Sequence, residues 1–234
     1  MATGVFDDLA AEMGRLPRTS AAHQVAELLR EHITAGALVP GTQLSEEALG
    51  MSLGVSRNTL RESFRLLADQ RLVVHELNRG VFVRVLSADD VADIYILRRA
   101  LESAGIRTAG SAPPERLTDL LSAVERGETA RDGGDWVAVG TADLDFHVGL
   151  AALTGSERVV EAMRRLLAEL RLAFGAVPSA EVLHGPFLPR NRTLVELLAA
   201  GRIAEADAEL ASYLDDACRR IVAAIRQPVR VAGC

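Results

Sequence analysis

The chain has 234 residues, 49% of them hydrophobic and 25% charged, enough for two small domains that each bury a core. Its formal net charge is −6, unevenly spread: residues 19–85 hold seven Arg against seven Asp or Glu, while residues 86–234 hold 17 against 22. The start, MATGVFDDLAAEMG, is acidic and lacks a long apolar run, which argues against a signal peptide, and no stretch reaches transmembrane length.

Taken in chain order, residues 1–18 are expected to form an N-terminal arm, followed by a first domain over residues 19–85. Its most informative run is Pro40 to Val83, PGTQLSEEALGMSLGVSRNTLRESFRLLADQRLVVHELNRGVFV. Ser45 is placed to cap a helix whose first turn carries Glu46 and Glu47, where carboxylates suit the positive end of the helix dipole. Gly54 ends it, and Ser56 caps a second helix in which Leu60, Phe64 and Leu67 recur at helical spacing. The opposite face carries Arg57, Arg61 and Arg65 at intervals of four, with Asn58 and Thr59 in the first turn. Such side chains reach base edges and phosphates when a helix N-terminus enters the major groove. An Arg stripe alone is more often a solvated face than a DNA contact; the ordered set of caps, Gly turn and following β-prone residues favours a DNA reader. Leu72–Glu76 and Val81–Val85 then predict a hairpin around Leu77–Gly80, with Arg79 at its tip.

From Ser87 the pattern turns helical. Ser87–Asp90 is a capping-box-like start, and Val91, Ile94, Leu97, Leu101 and Ala104 suggest the buried stripe of the first helix. Loops are expected around Ser111–Pro114 and Gly127–Gly134, and helices over about Asp135–Leu153, Ser156–Phe174, Asn191–Ala200 and Ala204–Ile225. Residues 86–227 thus read as an antiparallel helical bundle, with a tail at 228–234. The fold class expected is mainly α: a winged helix-turn-helix with a small β-hairpin, then an all-α bundle. Cys218 and Cys234 have no metal or redox spacing and read as free thiols of a reducing, cytoplasmic compartment.

Val25, Leu29-Arg30, Ile33, Gly36, Pro40-Gly41, Leu44-Ser45-Glu46, Leu49, Gly54-Val55-Ser56-Arg57, Leu60-Arg61-Glu62, Leu66 and Arg79-Gly80-Val81-Phe82-Val83 resemble the N-terminal domain of GntR-family bacterial transcription regulators. The resemblance implies a bacterial, nucleoid-associated protein whose DNA contacts fall on Arg30, Ser56, Arg57, Asn58, Thr59, Arg61, Arg65, Arg79 and Gly80. One departure is Arg71, where the family usually has Gly. The later half resembles the ligand-binding FCD domain of the FadR-type branch through Asp89-Asp90, Tyr95–Glu102, Asp143–His147 and Leu197–Gly201. That implies a homodimer on a palindromic double-stranded DNA operator, acting as a repressor and controlled by a small-molecule effector, for which a carboxylate metabolite is expected.

Asp143 and His147, at i and i+4, share a helix face with Phe146 and Leu150 and should point inward. A divalent metal such as Zn²⁺ is one partner for them, and a hydrogen-bonded core pair is the other reading. Many domains of this type complete the metal site with two later histidines, but alignment through Gly201 puts Asn191 and Tyr213 there. Tyr is an uncommon ligand, so the site reads as degraded and less than one tightly bound metal per chain is expected. Asn191 and Tyr213 could instead hydrogen-bond an effector, and Arg98, with Arg99 as second choice, could pair with its carboxylate. The competing role for Arg98 is a salt bridge to Glu102. His184 is expected on the surface or in a loop. Two alternatives stay open: a regulator responding to no effector or metal, and a metal-dependent helical-bundle enzyme fused to a DNA-binding domain. No catalytic constellation or phosphate-cradling loop supports the enzyme.

Overall fold

The structure, a computed structural model, describes residues 20–227; the arm at 1–18 and the tail at 228–234 with Cys234 lie outside the described residues. The chain divides between Arg84 and Val85 into two compact units.

The first unit begins with α1 (Ala21–Thr34), capped by Ser20, whose Oγ accepts from the His23 amide. Val25, Ala26, Leu29 and Ile33 recur at three- and four-residue spacing and form its buried face, which packs on α3. Helix α2 (Glu46–Leu53) is capped by Ser45 and ends at Gly54 with φ 65°, a left-handed conformation that suits Gly. Helix α3 (Arg57–Asp69) is capped by Ser56, and Leu60, Phe64 and Leu67 are fully buried. Each such side chain contributes about 1.5–3 kcal/mol of burial.

Strands β1 (Val73–Glu76) and β2 (Gly80–Val83) pair antiparallel, Val73 opposite Val83 and Glu76 opposite Gly80. Val81 and Val83 point into the core while Phe82 is half-buried, the period of two expected for a strand with one covered face. The other edge of β2 is covered too. The amides of Gly41 and Leu44 donate to Val83 O and Val81 O at 2.8 Å, and the Val83 amide donates to Thr42 O at 2.9 Å. Arg71 stands between α3 and β1 with φ 58°. It therefore takes up a left-handed conformation of the kind that suits Gly.

The second unit is helical throughout its described residues: α4 (Ala88–Thr108), α5 (Pro114–Asp132), α6 (Trp136–Ala152), α7 (Glu157–Arg171), α8 (Ala180–His184), α9 (Leu188–Ala199) and α10 (Ile203–Arg226), with 3₁₀ turns at Ala109–Ser111 and Phe174–Ala176. Ser87 and Asp90 form a reciprocal capping box at the head of α4. Helix α6 leaves only the stripe through Val137, Thr141 and Asp145 exposed and packs against α4, α5, α7, α8 and α9. A helix buried over most of its surface belongs near the centre of its unit.

Two expectations are corrected here. Gly127 does not begin a loop: α5 continues through it to Asp132. A Cβ at Gly127 would lie 2.8 Å from Leu188 Cδ1, so this glycine permits close helix packing and does not break the chain. Nor is the buried face of α4 the stripe through Leu97 and Ala104. It runs through Val91, Ile94, Tyr95, Arg98, Glu102 and Ile106, while Leu97 is 45% exposed. A hydrophobic pattern cannot find that face, because an ion pair occupies two of its inward positions.

Candidate functional site

Two places gather the residues singled out by the sequence. On the first unit, Ser56, Arg57, Asn58, Arg61 and Arg65 are exposed on or beside the start of α3. Ser56 Oγ accepts from the Thr59 amide at 3.1 Å and lies 2.9 Å from Thr59 Oγ1, so Thr59 is engaged in the cap. Arg61 Nε donates to Glu46 Oε1 at 3.0 Å, tying α3 to α2. Arg65 pairs with Glu62 at 2.7 Å and Asp69 at 3.0 Å. Arg57, at the tip, makes no ion pair among the described residues. Arg30 stands on α1 with its guanidinium on Glu27. Arg79, at the hairpin turn beside Gly80 (φ 107°), pairs with Glu76 and lies 5.2 Å from the Phe82 ring centre. These pairs are exposed, and such pairs hold by about 0–1 kcal/mol, so a phosphate can displace the carboxylates.

The second place lies inside the helical unit. Asp143 and His147 on α6 do point inward, and their surroundings form one connected cluster. His147 Nδ1 lies 2.6 Å from Glu102 Oε2, and its Nε2 lies 3.0 Å from the Tyr213 hydroxyl. That hydroxyl donates to Asp143 Oδ1 at 3.0 Å. Asn191 Nδ2 donates to the same oxygen at 2.8 Å, and His184 Nδ1 meets Asp143 Oδ2 at 3.1 Å. Arg98 Nε donates to Glu102 Oε1 at 2.9 Å. A phenol has one proton. Tyr213 gives it to Asp143, so its contact with His147 is a hydrogen bond only when Nε2 is a nitrogen that carries a proton.

Burial alone would raise the Asp143 pKa. The hydrogen bond from His184, the positive charges of His147 and His184 and the Asn191 amide outweigh it and hold this carboxyl well below its usual range. Burial opposes ionisation of Glu102 as well, and His147 and Arg98 overcome it, so its pKa is lowered. Tyr213 is pushed far up by burial and by Asp143.

His184 corrects an expectation. It is 5% exposed and ends α8, a five-residue helix capped by Ser179. Gly140, one turn before Asp143 on α6, makes room for its ring: a Cβ there would lie 2.7 Å from His184 Nε2. That glycine, on the same face as Asp143, was the signal in the sequence. Glu102 was legible only as the salt-bridge partner of Arg98, and that salt bridge is the pairing the structure shows for Arg98. Its Nε holds Glu102 while Nη2 is buried without a hydrogen-bond partner. Arg99 instead points outward, bonding Ala211 O and Asp215 on α10.

The metal implied by the FCD resemblance does not fit these residues. The Tyr213 oxygen lies 3.0 Å from both His147 Nε2 and Asp143 Oδ1 and so already engages the two groups that would be ligands. Both Asp143 oxygens and both His147 nitrogens are already engaged. Among the described residues no group of three or more His, Cys, Asp or Glu is arranged to hold a metal ion.

Tyr95, Arg98, Asp143, His147, His184 and Tyr213 line a narrow cavity of about 20 Å³, room for about one water molecule, whose remaining wall is apolar. Among the described residues no helix is long and apolar enough to cross a membrane.

Comparison with known proteins gives the same division of labour. Residues 21–83 match the bacterial regulatory proteins of the gntR family, and residues 93–216 match the FCD domain. A crystal structure described as a transcriptional regulator GntR from Rhodococcus sp. RHA1 aligns with TM-score 0.82 and 42% identity, over 89% of this chain and 100% of that one. The "Probable D-xylose utilization operon transcriptional repressor" of Paenarthrobacter nicotinovorans is 27% identical over 199 residues, 85% of each chain. The gluconate operon transcriptional repressor of Bacillus licheniformis is 31% identical over 133 residues, 56% of this chain and 54% of its own length.

Proposed function

The chain belongs to the gntR family of bacterial regulatory proteins and carries an FCD domain, and from that footing we propose that it is an effector-controlled repressor acting as a homodimer. It is a DNA-binding transcription regulator, as are its named relatives, and the reading of the helical half as an enzyme is set aside.

In the proposed mechanism, each copy lays the start of α3 in a major groove of one half-site, with Arg57 and Asn58 at base edges. Arg61, Arg65, Arg30 and the Arg79-Gly80 hairpin tip meet the backbone, and Ser56 and Thr59 orient the helix start. A reader with no net charge has little non-specific affinity, so two copies on one inverted repeat supply the tight binding. The effector enters the cavity lined by Arg98, Asp143, His147 and Tyr213, with Asn191 holding Asp143 in place, and changes the spacing of the two readers. Half-site spacing is a geometric requirement, so a small rotation lowers operator affinity.

The observation that carries this reading is the capped, arginine-bearing helix α3 of the first unit, in a chain whose second unit matches the FCD domain and buries Arg98 with Nη2 unpartnered. Footprinting on the gene's own upstream region tests it. Protection of a short inverted repeat supports the dimeric repressor, and protection of a single half-site, or none, overturns it.

A further inference from the structure

Helix α4 carries a face that the single chain leaves open. Opposite the inward Arg98 and Glu102, the residues Asp93, Ile96, Leu97, Ala100, Ala104 and Arg107 are exposed. They recur at steps of three and four, which puts them on one stripe about 21 Å long. Ile96 is 70% exposed and Leu97 45%. The apolar pattern of the sequence runs through Leu97 and Ala104, so the chain keeps on its outside side chains whose spacing suits burial. The stripe is also self-complementary about Ala100. Asp93 and Arg107 stand seven residues to either side of it, and Ile96 and Ala104 four. When two copies of α4 run antiparallel about a two-fold axis at Ala100, Asp93 of each faces Arg107 of the other, and bulky Ile96 faces small Ala104. A parallel pair would set Asp93 against Asp93 and Arg107 against Arg107, and like charges repel. Arg107 can take a second carboxylate: its Nε and Nη2 donate to Asp207 Oδ2, and a guanidinium has further donors on its Nη1 edge. Asp93 makes no ion pair among the described residues.

We propose that two copies of the chain pair through this stripe, α4 against α4 and antiparallel about Ala100. Ile96 and Leu97 of each copy lie on Ala100 and Ala104 of the other, and an Asp93–Arg107 ion pair closes each end. A small residue on the axis lets the two helices approach to about 8 Å. Helix α10, tied to α4 by Arg99–Asp215 and Arg107–Asp207, flanks the seam and extends it toward the roughly 800 Å² per partner of a stable interface. This deepens the homodimer reading above and rests on it.

The test combines sedimentation equilibrium of the full-length protein with cysteine cross-linking in a Cys218→Ser, Cys234→Ser background. The wild type is expected as a dimer. Ile96 is exposed in the single chain, so Ile96→Asp should keep the wild-type circular dichroism while weakening association at least about tenfold. Ala100→Cys, on the axis, should oxidise to a covalent dimer by itself. Asp93→Cys and Arg107→Cys should not cross-link alone, because like positions of the two copies then lie about 21 Å apart along the helices. Mixed and allowed to exchange subunits, these two variants should cross-link to each other. Wild-type association in Ile96→Asp, as another covering of this face predicts, would overturn the proposal while leaving the homodimer reading intact. So would cross-linking of Asp93→Cys with itself, or a dimer in which Ala100→Cys does not cross-link. A monomeric wild type would overturn the homodimer reading along with the seam.

Discussion

The Tyr213 hydroxyl donates to Asp143 Oδ1 across 3.0 Å, from α10 to α6, and so engages a carboxylate oxygen that a metal would require. Tyr213→Phe should leave His147 Nε2 without its partner and Asp143 Oδ1 with Asn191 alone. The expected cost is about 1–3 kcal/mol of unfolding free energy, read from urea titration followed by circular dichroism.

Restoring the two histidines of the FCD resemblance should reverse the loss of metal. Wild-type protein dialysed against a mild chelator should carry well under one zinc per chain by elemental analysis. The Asn191→His, Tyr213→His double variant places two imidazoles beside Asp143 and His147, and should retain zinc near stoichiometry. Stoichiometric zinc in the wild type would contradict the assignment of Tyr213.

Acid should weaken the helical unit. Asp143 and Glu102 both have folded-state pKa values below their unfolded values. Their ionised forms therefore contribute stability in full above the unfolded carboxylate range of about 4. The contribution shrinks as pH falls from about 5 toward the folded-state values, because the unfolded chain then binds protons that the folded one refuses. Urea midpoints should be flat from pH 7 to 6 and drop below pH 5. Replacing Asp143 by Asn should flatten that slope while lowering stability at pH 7.

At Arg71 the backbone is left-handed, a conformation that costs a non-glycine residue about 1–3 kcal/mol. Glycine removes that strain but adds freedom to the unfolded chain, worth about 0.4–1 kcal/mol. Arg71→Gly should therefore stabilise the first unit by about 1 kcal/mol. Gly105 behaves in the opposite way: a Cβ there would lie 1.9 Å from Leu150 O. Gly105→Ala must push α4 off α6, at about 3 kcal/mol or more, with a matching fall in the denaturant midpoint.

On DNA, the arginines of α3 should not be equivalent. Arg57 makes no ion pair among the described residues, while Arg65 must give up Glu62 and Asp69. Arg57→Ala should cost more operator affinity than Arg65→Ala in gel-shift titrations. If Arg57 holds a phosphate, its removal should lower the salt slope by about one; if it reads a base edge, its removal should relax sequence preference instead.

The reader was legible in the sequence because its signals are local: Ser45, Gly54 and Ser56 act through their own backbones, and Leu60, Phe64 and Leu67 lie at fixed spacing on one helix. The inner site was legible only where it too was local, in the i, i+4 pair Asp143 and His147. His184 was missed because its partner lies 41 positions away and its burial depends on a five-residue helix too short to leave a periodic signature. The face of α4 was misread for a related reason: Arg98 and Glu102 are charged, and only the proximity of His147 and Tyr95 makes their burial tolerable. Gly105, Gly127 and Gly140 mark where helices or rings approach closely, which composition alone reads as loop.

The backbone bonds joining Gly41, Thr42 and Leu44 to β2 make that strand the middle of a three-segment ribbon, so the hairpin is not a free flap. Gln43 Nε2 adds a bond to Arg79 O at 2.7 Å, joining the connector between α1 and α2 to the hairpin tip. In native-state hydrogen exchange, the amides of Leu44 and Val83 should open together with the core of α3, at one common free energy. The wing would then be part of the same cooperative unit as the helix it accompanies.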